Sequence, residues 1–102
     1  MSVTDKSTNS TPSLPHSSTQ MNAFKLSIVE DKPIMLDYWK DSLDNQVIIG
    51  IRENNVKLLV KSEDEYTSPI SKIYKVETDY IIMTENSIYI VSTNISTKKI
   101  TN

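Results

Sequence analysis

Tyr38 and Trp39 stand side by side just ahead of a polar stretch, and Tyr66 lies on a second, acidic one. Aromatic side chains beside the loops of a small β-domain offer stacking faces to a peptide or a base. The same side chains can also cap a core with their polar tips wet. These three are the candidate binding residues. Lys57 and Lys61 fall on one face of a patterned run with Leu59 between them, and Lys72 and Lys75 lie on another run. On adjacent strands the four lysines would form a basic stripe for single-stranded nucleic acid, the alternative function. Lysines are equally a device for blunting exposed strand edges.

The remaining titratable groups exclude more than they offer. Glu63, Asp64 and Glu65 are consecutive, so an extended backbone sends their carboxylates apart. Asp37, Asp41 and Asp44 would share a face only on a helix. The chain has one glycine, Gly50, which rules out a glycine-rich phosphate loop. Its one histidine, His16, falls in a polar N-terminal stretch outside the expected domain, taking a histidine base, triad or zinc site out of that domain. There is no cysteine, hence no thiolate catalysis, disulfide or cysteine-held metal. The expectation is a non-enzymatic domain with no catalytic residues, cofactor or metal, which binds a protein partner or itself.

Charge and hydropathy narrow the partners. Eleven basic against thirteen acidic residues leave a net charge of −2, which makes nucleic acid an unlikely main partner, because that affinity comes from clustered cations. No apolar run approaches a membrane span, and the first residues lack the apolar core of a signal peptide. The expected setting is intracellular and cytoplasmic, without a membrane partner.

The elements that must carry these residues read mostly as strands. Residues 70–92 hold three β-branched and aromatic runs separated by two polar breaks, the pattern of a three-stranded meander. Residues 47–52 and 56–61 form a hairpin around Asn54-Asn55, since asparagine tolerates the left-handed backbone of a tight turn. Gly50, inside the first of these runs, marks a bulge, a close approach or a sharp bend of the sheet. Residues 23–30 alternate, with Phe24, Leu26 and Ile28 on one side, and predict a first strand that Pro33 closes. Residues 34–39 read as a strand; a short helix opened by Pro33 would instead set Met35 one turn from Trp39. Residues 62–68 read as an acidic loop, in which Ser62 and Glu65 have the spacing of a helix cap. A short last strand is expected within residues 94–98.

Residues 1–22 contain six Ser and four Thr and too little apolar surface to offset ordering, so they predict a disordered Ser/Thr-rich tail. The domain then spans residues 23–100. The fold class expected is all-β: a small antiparallel meander curled into an SH3-like barrel or a two-layer roll.

Three segments, Pro33-Ile-Met-Leu-Asp-Tyr-Trp-Lys-Asp-Ser-Leu43, Lys61-Ser-Glu-Asp-Glu-Tyr-Thr-Ser-Pro-Ile70 and Thr84-Glu-Asn-Ser-Ile-Tyr-Ile-Val-Ser92, resemble small β-rich proteins of large DNA viruses of amoebae, the mimivirus-like group. Thirteen Ile, ten Lys and eight Asn fit the AT-rich coding of such genomes. The resemblance covers residues 24–100 and implies a place in the virion or the infected host's cytoplasm. It carries over no activity and no site residues.

Overall fold

A strand covered on both faces loses the alternation of a half-exposed one, and residues 79–84 show that loss: all but Tyr80 are buried. The computed structural model describes residues 13–101 and gives this strand a central place. In chain order the elements are α1 (Ser17–Glu30), β1 (Ile34–Met35), α2 (Trp39–Leu43), β2 (Ile48–Ile51), β3 (Lys57–Ser62), β4 (Glu65–Tyr66), β5 (Ile70–Val76), β6 (Asp79–Thr84), β7 (Ile88–Ser92) and β8 (Ser96–Lys99).

The strands form two four-stranded sheets, one ordered β1-β7-β6-β5 and the other β4-β3-β2-β8. The meander β5-β6-β7 stands as the sequence predicts, antiparallel throughout, with Glu77 taking the left-handed conformation at its first turn. The β2–β3 hairpin also forms, and both Asn54 and Asn55 have positive φ in the connecting turn. Two edge strands pair parallel instead: β1 with β7 and β8 with β2. The chain is therefore sheet-rich, as expected, but neither sheet closes on itself into a barrel.

The expected first strand is a helix. α1 runs through the boundary set between tail and domain, so residues 13–22 are part of the fold; residues 1–12 lie outside the described residues. The alternation Phe24, Leu26, Ile28 does not describe one buried face: Leu26 turns inward while Phe24 and Ile28 are exposed. The inward stripe is Thr19, Ala23 and Leu26, spaced four and three, which only a helix lines up. The sheet decides the matter. Ile81, Met83, Ile88 and Ile90 leave the meander on the side away from the second sheet and need a cover, and Ala23 lets a helix lie close over them.

Strand β6 holds this helix at both ends. The buried Asp79 carboxylate accepts the His16 backbone N–H at 2.9 Å and the Thr19 hydroxyl at 2.7 Å, supplying the cap that His16's own side chain does not. At the other end Asp31 adopts the left-handed conformation that terminates the helix, and Lys32 Nζ donates to the Thr84 carbonyl at 2.8 Å. Fourteen helical residues rise about 21 Å, close to the roughly 20 Å of a six-residue strand. The lengths match.

Two cores result, one on each face of the meander sheet. Val47, Ile49 and Leu59 meet Ile82 and Val91 between the sheets, and Ala23 with Trp39 covers the isoleucines beneath α1. The segment from β1 through α2 wraps the edge of the meander sheet. Residues 34–39 are thus not one strand: β1 ends at Met35 and α2 begins at Trp39. The acidic stretch is not a helical turn either, since β4 folds back on β3. Gly50 produces no bulge, as β2 keeps its register with β3 and β8 on either side.

Candidate functional site

Tyr38 and Trp39 are neighbours in sequence but belong to different cores. Tyr38 lies between the sheets, edge-on to Tyr89 with ring centroids 5.3 Å apart. Trp39 packs beneath α1 and donates its indole N–H to the Ser13 carbonyl at 2.9 Å. Both side chains are buried. Tyr66 is half exposed on β4, opposite Val60 and on the other face of its sheet. The three aromatic candidates are not brought together on one surface.

The four lysines also separate. Lys61 points inward, its ammonium 3.3 Å from Asp41, 3.5 Å from Glu65 and 4.6 Å above the Tyr38 ring. Burial opposes its charge, but the Asp41 hydrogen bond and the two carboxylates outweigh that and raise its pKa. Asp41 is thereby engaged with Lys61, and of the acids at 37, 41 and 44 only Asp41 falls within α2. Lys57 and Lys72 line one shallow cleft of about 530 Å³. Lys75, three residues along β5 from Lys72, leaves that strand on the opposite face. β5 is the outer strand of its sheet, so Lys72 and Lys75 occupy a sheet edge.

The phenols around Lys61 carry a testable pH signature. Burial first, then the Glu65 carboxylate, Tyr89 and Asp37, push the Tyr38 pKa up to about 12. Burial and Asp37 also raise Tyr89, against a hydrogen bond to Ser87 that lowers it. A folded-state pKa above the unfolded value of about 10 adds stability below pH 10 that is lost as pH rises toward 12. Tyr38 should account for the larger part of that loss. Phenolate absorbance is expected to show Tyr38 and Tyr89 titrating above the ordinary phenol range, and Tyr38→Phe to flatten the alkaline loss of stability.

The largest hollow described lies on the outer face of the β4-β3-β2-β8 sheet, a groove of about 850 Å³. Leu58, Val60 and Ile100 provide its apolar lining, and Arg52, Tyr66 and Lys99 its polar one. Its shape depends on Gly50: a Cβ there would stand 2.8 Å from Ile100 Cδ1 and 3.0 Å from Val60 Cγ2. The missing side chain lets Ile100, tied by its N–H to the Ile51 carbonyl, lie across the sheet. Arg52 sits 5.6 Å over the Tyr66 ring, and its buried Nε has no hydrogen-bond partner among the described residues. A second hollow of about 580 Å³ shares Arg52, Lys99 and Ile100 and extends the groove past the end of β2.

Sequence reasoning found Tyr66 but missed Arg52, Lys99 and Ile100. Arg52 is the chain's one arginine, between a strand and a turn, and that was the available signal. Ile100 gave none, because its place depends on β8 pairing parallel with β2.

His16 is docked against the meander, its Nε2 3.0 Å from the Thr78 hydroxyl. The nearby Asp79 carboxylate meets the His16 backbone N–H rather than its ring, which is a capping arrangement and not a catalytic pair. Among the described residues no three His, Asp or Glu side chains are arranged to hold a metal, and no helix is long and apolar enough to cross a membrane. No protein family, curated protein or solved structure matches the chain.

Proposed function

We propose that the protein is a non-enzymatic interaction domain whose outer groove receives an extended, apolar segment of a protein partner carrying an acidic group. The observation that carries this reading is Arg52, held over Tyr66 at the side of an apolar floor. Guanidinium pairs with carboxylate through paired N–H donors, while Leu58, Val60 and Ile100 suit an aliphatic or aromatic side chain. Among the described residues β8 is the outermost strand of its sheet, which leaves backbone donors and acceptors beside the groove for an added strand. Glu63 at the rim disfavours an acid at that end and so orients the segment.

The test is selection from a random peptide library on the full chain, followed by titration of the selected peptides. The expected peptides pair an acidic residue with apolar ones, and Tyr66→Ala or Arg52→Glu should weaken them by roughly 10-fold or more. The urea midpoint of Tyr66→Ala should stay near the parent's, since Tyr66 is half exposed. Selection of no peptide, or binding indifferent to both substitutions, would remove the groove from consideration. Mixed-sequence single-stranded DNA that binds at low salt and is lost on Lys57→Glu would give the function to the lysines instead.

A further inference from the structure

Helix α1 carries a second apolar stripe, on the side away from the sheet. Met21, Phe24 and Ile28 follow one another at spacings of three and four, and Val29 flanks them. Ile28 is 81% and Val29 75% exposed, with Met21 and Phe24 each more than half exposed. Leu36, just past β1, is also more than half exposed. A surface helix of a monomer presents polar residues on its outer side, and this one presents its largest hydrophobics there. Five such side chains, at roughly 100 Å² each, give on the order of 500 Å² of apolar surface.

We infer that this stripe is the contact between two copies of the chain, with their α1 helices packed antiparallel about a two-fold axis near Phe24. The spacing is self-complementary. With the axis between Phe24 and Lys25, an antiparallel pair sets Met21 of each copy against Ile28 of the other and brings the two phenylalanines side by side across the axis. The area agrees with that partner, since roughly 500 Å² of apolar surface is the greater part of the ~800 Å² each partner gives a standard interface. Other covers fit less well. Residues 1–12 include only Met1 and Val3 as sizeable apolar side chains besides the proline. A membrane surface would call for a basic polar face, whereas Lys25 is the helix's one cation and the chain's net charge is −2. This contact is independent of the outer groove, which belongs to the opposite sheet.

Sedimentation of the full chain from low micromolar to millimolar concentration is the experiment, repeated on Ile28→Glu and Phe24→Glu. Both positions are exposed, so the variants should keep the parent's circular dichroism and, measured well below the parent's dimer Kd, its urea midpoint. The expected result is a reversible dimer whose Kd rises roughly 30-fold or more in either variant. Because the chain has no cysteine, Phe24→Cys should also form a disulfide-linked dimer on mild oxidation, while Lys72→Cys should not. A monomer throughout the range, or a dimer unaffected by both glutamates, overturns the inference. So does a monomer that binds neutral phosphatidylcholine vesicles through Phe24 and Ile28, which would give the stripe to a membrane.

Discussion

Asp79→Ala is expected to undock the N-terminal helix while leaving the meander folded. The carboxylate is 2% exposed and accepts both the His16 backbone N–H and the Thr19 hydroxyl. Its loss strands two donors at a helix end that has no cap of its own, a cost of about 3 kcal/mol. Hydrogen exchange should locate the damage: α1 amides lose protection while β6 and β7 amides keep most of theirs. Thr19→Val, which removes only the hydroxyl donor, should cost about 1 kcal/mol. Equal loss of protection across α1 and the sheet would mean that helix and sheet unfold as one unit and that the cap has no separate role.

Trp39→Ala is expected to be the most damaging aromatic substitution, at about 3–5 kcal/mol by urea unfolding. Its ring fills the core beneath α1, and its indole N–H is satisfied by the Ser13 carbonyl, so truncation leaves both a cavity and an unpaired acceptor. Against a total stability of about 5–15 kcal/mol for a domain, that loss is severe. Trp39→Phe should recover much of the packing but not the hydrogen bond. Tyr66→Ala should leave the urea midpoint nearly unchanged. The two side chains therefore separate a role in folding from the binding role proposed for Tyr66. A Trp39→Ala chain with an unchanged midpoint would show that the ring is dispensable to the core.

The parts of this fold that were legible in the sequence are those fixed by neighbours. The meander and the Asn54-Asn55 hairpin follow from short connections and left-handed turn residues, information held within a few positions. Helix α1 was not legible in the same way. Its buried stripe includes Thr19 and Ala23, which are not strongly apolar, while its conspicuous hydrophobics face outward. A pattern search for one apolar face therefore fixes on the wrong residues. Tyr38 and Trp39 were visible as candidates, but their burial in two different cores depends on the segment that wraps the sheet edge. Of the groove, Tyr66 could be read from the sequence, whereas the approach of Ile100 to Gly50 spans half the chain.

The hold of β6 on α1 also sets an order of events during synthesis. The Asp79 cap arrives 63 residues after the His16 amide it satisfies, and the Thr84 carbonyl 52 residues after Lys32. At about 5–20 residues per second, the helix segment spends seconds outside the ribosome before either clamp exists. A free 14-residue helix is marginal in water, and this segment has hydrophobic side chains on both of its eventual faces. The α1 segment is therefore the part of the nascent chain most open to capture by a chaperone or another nascent chain. That exposure ends only when the central strand has been made.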